Sequence, residues 1–460
     1  MKTLELKPTH ENIMNAFERN PIGRNGDVFM FADILNSIDS NCSISLDGGW
    51  GRGKTFFVKQ AKAFLDSQND FVKSISADDK ERIVSEWKSL HKGKEPEYMA
   101  QVSVYYDAWE NDNDEDPILS LIYSILKNVN DDFSMPNDAD FFDLTASIIE
   151  FFTGKNWKSL IDSFRSEDPL DSLRKAKAIQ DHIKKFLDSL LEERGDRLVI
   201  FVDELDRCKP SFAVQLLERI KHYFTNDRIT FVFSINTSEL QHTIKKHYGD
   251  GFDACRYLDR FFDIPVVLPP ANMTGFYNSI GFREQSYYYE IVCKAVIERY
   301  NLSLREIARY VQLTKIAAYE PTHDSDRFSF AFPSGRAVHF SLIYVVPIMI
   351  GLRLVDMERY QQFIAGKNYE PLMEFKDIFR VDYFERFLNK DETYDIPVEG
   401  KKVVTAEEKI QAIYSALFAT QYSGTIRHIT LGEYQFSQET RDVLMRTVSL
   451  FSDYATFNDE

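Results

Sequence analysis

A length of 460 residues is enough for two to four domains and a sizeable core. Hydrophobic content of 44% with 28% charged residues is that of a soluble globular protein. The formal charge of −17, from 72 acidic against 55 basic residues, argues against a broad non-specific grip on DNA or anionic membrane, while leaving room for a local basic groove. The four cysteines, Cys42, Cys208, Cys255 and Cys293, form no C-x-x-C pair, so neither a zinc site nor a disulfide framework is indicated. Reduced thiols in the cytoplasm are the expectation, and Met1 to Leu6 lack the apolar run of a secretory signal.

In chain order, residues 11–40 read as helical, with Phe29, Phe31, Ile34, Leu35 and Ile38 on one apolar stripe. Ile44 to Leu46 follow as a short buried strand. Gly48-Gly49-Trp50-Gly51-Arg52-Gly53-Lys54-Thr55 fits G-x-x-x-x-G-K-[ST], the Walker A loop, and a helical pattern with Phe56, Phe57, Ala61, Phe64 and Leu65 begins behind it. Strand, glycine loop and helix are the context this motif needs. Glycines let successive backbone N–H groups turn toward one point, and the helix that starts there adds its positive end. Residues Gly48 to Phe56 are therefore the expected nucleotide-binding segment. Lys54 reaches phosphate oxygens as a point charge, and the Thr55 hydroxyl ligates Mg²⁺.

Residues 61–93 are helical and charged, and Met99 to Tyr106 read as a strand. Asn111 to Asp116 form an acidic turn, and Pro117 opens a helix carrying Ile118, Leu121, Ile122, Ile125 and Leu126. Residues 130–170 are aromatic-rich and read as helical with breaks; 176–193 form an amphipathic helix. Leu198 to Val202 are a continuous apolar run, as in a strand buried on both faces, ending in Asp203-Glu204. Below a Walker A loop this is a Walker B pattern: Asp203 holds Mg²⁺ and Glu204 polarises or orients the attacking water. Asp206 and Arg207 either touch the site or pair with each other. Ile229 to Ile235 form a third strand. Its terminal Asn236 is placed to hydrogen-bond the attacking water or γ-phosphate, the sensor-1 role, or else to cap the next helix.

Ser303-Leu304-Arg305-Glu306 is a capping box that starts a helix near Leu304. Leu302 to Tyr319 also resemble a helix-turn-helix, with Thr314 and Lys315 on the reading helix; this would make the chain a DNA-binding regulator. Phe340 to Leu352 are the longest apolar run, too short for an ordinary membrane span and interrupted by Pro347 and Gly351, so a buried core helix is expected.

The W-G-x-G-K-T loop, Tyr106-Asp107-Ala108-Trp109, the cluster Asp203-Glu204-Leu205-Asp206-Arg207-Cys208, Ser234-Ile235-Asn236 and Tyr257 to Pro265 together resemble the KAP family of P-loop NTPases over roughly residues 15–315. The resemblance implies an additional-strand, catalytic-glutamate core related to the AAA+ and STAND groups, using ATP and Mg²⁺. Bacterial members of the family are associated with phage exclusion. It also implies that Arg256 or Arg260 reaches a neighbouring subunit's γ-phosphate, the alternative being a surface pair with Asp253, Asp259 or Asp263, and that Arg305 is a sensor-2 arginine in a helical lid. Many KAP proteins carry transmembrane helices between Walker A and Walker B, and residues 61–197 contain no such segment. The expectation is an α/β fold: a P-loop parallel sheet with flanking helices over 1–270, a helical lid over 271–330, and a C-terminal helical domain over 331–460. The expected function is a cytoplasmic, homo-oligomeric ATPase switch in antiphage defence, with a protein effector as partner. An ATP-binding scaffold with negligible hydrolysis that gates a nuclease or toxic partner is the alternative.

Overall fold

Five parallel strands form one sheet: β1 (Cys42–Asp47), β2 (Gln101–Asp107), β3 (Arg197–Asp203), β4 (Ile229–Ile235) and β5 (Ile264–Val267), in the order β2-β3-β4-β1-β5. The strand β4 is inserted between the phosphate-loop strand β1 and the acidic strand β3, as the additional-strand reading requires. The computed structural model describes residues 7–132, 169–192, 194–282, 288–318, 335–378, 394–395, 402–403 and 405–450. Most of the expected broken helix over 130–170 lies outside these residues.

Side-chain alternation divides the sheet between two cores. Leu198, Ile200 and Val202 of β3 face one core with Phe231 and Phe233 of β4. Val199 and Phe201 face the other, with Ile44 and Leu46 of β1. The second core is covered by α1 (His10–Arg19), α2 (Asn25–Ser37), α3 (Lys54–Gln68) and α4 (Ala77–Leu90). The first is covered by α5 (Pro117–Asp132), α6 (Pro169–Leu191), α7 (Pro210–Tyr223) and α8 (Thr237–Tyr248). Every residue of β3 and β4 is buried, which explains why both strands are apolar without a break. The acidic turn before α5 does more than meet solvent: Asp116 Oδ1 accepts the N–H groups of Ile118 and Leu119, and its other oxygen pairs with Arg219 of α7.

The contacts divide the chain into Leu6–Gly275 and a second unit containing Phe276–Glu460, so the segment expected as a lid and the C-terminal segment fall in one unit. In the second unit, α11 (Tyr288–Arg299) and α12 (Leu304–Ala318) follow the short helices α9 (Ala254–Leu258) and α10 (Met273–Ser279) of the chain. The capping box is present: Ser303 N–H donates to Glu306 Oε2 at 2.7 Å and Glu306 N–H to Ser303 Oγ at 3.4 Å.

The helix-turn-helix reading is overturned. Leu304–Ala318 is one continuous helix, Thr314 is completely buried, and Lys315 Nζ donates to the Ile280 carbonyl at 3.1 Å. With no turn and no accessible reading face, this segment offers nothing to base edges.

The apolar run is longer than expected, a helix over Arg336–Val355 of 20 residues that by length and composition could cross a membrane. It is instead packed within its unit, with Ile343, Val346, Ile348, Met349 and Leu352 buried. Pro347 has no N–H to give and its ring crowds the preceding turn, which widens into a π turn over Ser341–Val345. A side chain at Gly351 would collide with Val296 of α11, so glycine permits this close packing. The second unit is not wholly helical as expected. It also carries two antiparallel hairpins, β6 (Tyr394–Asp395) with β7 (Lys402–Val403), and β8 (His428–Leu431) with β9 (Tyr434–Ser437).

Candidate nucleotide site

The C-terminal ends of the strands bring the chemistry-bearing residues to one edge. In register, Asp107 of β2 lies opposite Asp203 of β3, Asp203 opposite Ser234 of β4, and Ile235 opposite Asp47 of β1. The phosphate loop leaves β1 at Asp47, and its first N–H, that of Gly48, donates to the Ile235 carbonyl at 3.1 Å. Gly51 and Gly53 take φ of 71° and 91°, values that side chains with a Cβ rarely adopt, and Gly53 stands at the N-terminus of α3. Lys54 Nζ donates to the carbonyls of Gly48 at 2.6 Å and Gly49 at 3.4 Å. Burial pushes the Lys54 ammonium below its ordinary range, opposed by Asp206, Asp203 and Glu204. Thr55 is the next residue of α3. The Phe56 side chain is buried in the core beneath the loop, so its contribution to the site is its backbone N–H.

A buried arginine supports the loop from below. Arg24, 3% exposed between α1 and α2, donates to the carbonyls of Arg52 at 2.9 Å and Pro269 at 2.5 Å. Burial brings its guanidinium down to about 10. Arg24 thus ties the loop to the chain just beyond β5. The sequence marked the N-terminal segment only as a helix near the nucleotide, and nothing in its pattern distinguishes this arginine.

The acidic strand end carries two kinds of carboxylate. Asp203 is fully buried; its Oδ2 accepts the Tyr105 hydroxyl at 3.0 Å and its Oδ1 accepts the Glu204 N–H at 3.1 Å. Tyr105, which sequence reasoning passed over, also lies under the Lys59 ammonium, 4.3 Å from the ring centre. The signal was available: Tyr105 sits two residues before the strand-terminal Asp107, hence on the same face of a strand beside the acidic one. Glu204 takes φ 60° and ψ 23°, a left-handed conformation that costs a non-glycine residue about 1–3 kcal/mol. Burial and the neighbouring Asp203 push its carboxyl up to about 7, Asp206 adds to the rise, and Arg207 and Lys54 oppose it.

Asp206 and Arg207 do not pair with each other. Trp50 Nε1 donates to Asp206 Oδ2 at 2.6 Å, while Asp206 Oδ1 is buried without a hydrogen-bond partner. Arg207 pairs with Glu204, and its guanidinium lies 5.6 Å from the Trp50 ring centre and 5.3 Å from that of Trp109. An arginine of the same chain therefore stands at the catalytic carboxylate, contrary to the expectation that only a neighbouring subunit supplies one. The capping alternative for Asn236 is also answered. It makes no side-chain cap bond, and the Thr237 N–H of α8 donates instead to Asp47 Oδ1 at 2.7 Å. Arg256 pairs with Asp253 at 3.4 Å. Arg260 is exposed, and among the described contacts its side chain makes no ion pair; its carbonyl accepts Lys221 Nζ. Arg305 lies on the exposed face of α12, in the second unit.

The oxygen-only donors Thr55 and Asp203 suit a hard divalent cation such as Mg²⁺. The two left-handed glycines and the amides at the start of α3 suit a polyphosphate. Among the described residues no group of three or more His, Cys, Asp or Glu side chains is arranged to hold a metal ion by itself.

Residues 29–319 match the model of the KAP family P-loop domain. Comparison with curated proteins gave no match. Solved structures similar to the chain include the Aeropyrum pernix ORC2 protein in ADPNP–ADP complexes, with 11% identity, a TM-score of 0.35, and coverage of 93% of this chain and 94% of that one. The Aeropyrum pernix ORC1 protein in complex with DNA is 13% identical with a TM-score of 0.33, covering 93% and 92%.

Proposed function

Since the chain belongs to the KAP family of P-loop NTPases, we propose that it is an Mg²⁺-dependent ATPase whose cycle works as a switch. The observation that carries this reading is the meeting, at one sheet edge, of the Lys54 loop with Asp203 and a strained Glu204 whose carboxyl is pushed up to about 7. Loop amides and Lys54 bind the phosphates, Lys54 exchanging loop carbonyls for phosphate oxygens. Thr55 and Asp203 are the residues to hold Mg²⁺, which when bound neutralises phosphate charge and orients the terminal phosphoryl group. Asn236 orients the water. As the water oxygen bonds to the γ-phosphorus and the bond to the ADP oxygen breaks, the water's proton passes to a Glu204 carboxylate oxygen. Catalysis is mostly positioning and electrostatics.

Lys54→Ala is expected to abolish tight ATP binding, since Lys54 is the cation the loop holds at its own centre. Calorimetry of Mg·ATP binding checks this; unchanged affinity would remove the loop as the site. The pH dependence follows from Glu204. The base works deprotonated, so kcat/KM is expected to fall as pH drops through about 7 and to level off above it. An acid limb near the ordinary glutamate range would mean that another group accepts the proton.

The wider role rests on the family resemblance. We assign the cycle to antiphage defence in the cytoplasm, in a homo-oligomer, with residues 331–460 engaging a protein effector. Affinity capture of the intact Glu204→Gln chain under ATP, compared with the parent, tests this: an effector retained only by the ATP-held form supports it, and identical captures refute it. A second reading, an ATP-binding scaffold that gates a toxic partner with negligible hydrolysis, is favoured by one observation, the engagement of Glu204 by Arg207.

A further inference from the structure

We propose that Arg207 is a positioning residue that holds the Glu204 carboxylate when a nucleoside diphosphate fills the loop and releases it to the terminal phosphate of a triphosphate, with Trp50 and Trp109 carrying the guanidinium between the two positions. The inference rests on the ATPase reading and explains how one site moves between a latched and a competent state.

The geometry supplies both halves of such a device. Glu204 and Arg207 flank the short 3-10 turn Leu205–Arg207, and the left-handed backbone at Glu204 turns its side chain back over that of Arg207. The two side chains are 18% and 22% exposed, so solvent screens the pair only in part. A carboxylate whose lone pairs accept from a guanidinium does not accept from water; the base is held in place but engaged. Around the pair the backbone is fixed. The Arg207 N–H donates to the Glu204 carbonyl at 3.1 Å, the Thr243 hydroxyl to the Asp206 carbonyl at 3.2 Å, and Trp50 Nε1 to Asp206 Oδ2.

The guanidinium itself is held differently. Its neighbours besides Glu204 are two indole faces, which attract a cation without fixing a direction. Those rings are 46% and 52% exposed, the open side of the site. Trp50 belongs to the phosphate loop, so the stack already reaches the phosphate position, and Lys54 lies close enough for Arg207 to oppose its charge. A triphosphate adds negative charge at the loop that a diphosphate lacks, and Arg207 is the one cation of this cluster not anchored to loop carbonyls.

The test uses the intact chain and tryptophan emission with Mg·ADP and with a non-hydrolysable Mg·ATP analogue. The triphosphate is expected to shift the emission relative to ADP, with Trp50→Phe and Trp109→Phe each reducing the shift. Arg207→Ala is expected to abolish it, to weaken the analogue on the order of tenfold through loss of one charge-assisted contact, and to leave ADP affinity within about twofold. Glu204→Gln, which removes the carboxylate charge without altering side-chain size, is expected to give the triphosphate-like emission with ADP alone. The latch is overturned if Arg207→Ala retains the full difference, if both affinities fall together as for a structural residue, or if the parent binds both nucleotides with identical emission. A parent chain that binds neither nucleotide overturns the ATPase reading and the latch with it.

Discussion

Glu204→Gln is expected to bind Mg·ATP as the parent does and to turn it over on the order of 10²-fold or more slowly, as loss of a general base does. The amide has the size of the carboxylate and can donate as well as accept, so it fills the same place at the end of β3 without accepting a proton. Binding survives because the phosphate contacts belong to the loop and Lys54, on the far side of β4 from β3. Asp203→Asn has a different expected result. Asp203 accepts from Tyr105 and from the Glu204 N–H, so the change weakens Mg²⁺ dependence and also disturbs the turn that aims Glu204. Steady-state hydrolysis over a Mg²⁺ series separates the two. Hydrolysis by Glu204→Gln at the parent rate would assign the water to another group.

The second large effect concerns the proposed shared site. An arginine supplied by a neighbour is worth about 10³–10⁵ in turnover in P-loop enzymes. Arg260 is exposed beyond α9 at the side of β5, the edge strand of the sheet, whereas Arg256 is taken by Asp253. Arg260→Ala is therefore expected to lower turnover on the order of 10³-fold with little change in ATP affinity. Activity per chain is expected to rise with protein concentration. Mixing Arg260→Ala with Glu204→Gln is expected to restore part of the activity, since some interfaces then join an intact Glu204 to an intact Arg260. Concentration-independent turnover, or a mixture no more active than its parts, assigns transition-state charge to the chain's own Arg207 and leaves Arg260 a surface residue.

The sheet was legible because its strands announce themselves. Leu198 to Val202 and Ile229 to Ile235 are buried on both faces and so are apolar throughout, and each ends in a polar residue where the ligand edge begins. The loop was legible because Gly51 and Gly53 adopt backbone angles that few other residues tolerate. What was not legible depends on contacts distant in sequence. Arg24 reaches Pro269, and Trp50 reaches Asp206, only once the strands are in order. Asp47 takes the cap of α8 from Asn236 because β1 lies beside β4. The helix-turn-helix pattern misled for the opposite reason: Thr314 is polar in sequence but satisfies its hydroxyl on the Tyr310 and Val311 carbonyls of its own helix, inside the core.

The most direct measurement is single-turnover hydrolysis by the intact chain: Mg·ATP limiting, protein in excess, bound nucleotide followed over time. The account predicts that bound ATP becomes ADP and phosphate, and that Glu204→Gln keeps its ATP intact over the same period. ATP that stays unconverted on the parent chain, at every protein concentration and with Arg207 or Arg260 intact, would contradict it and leave the nucleotide as a fixed ligand of a scaffold.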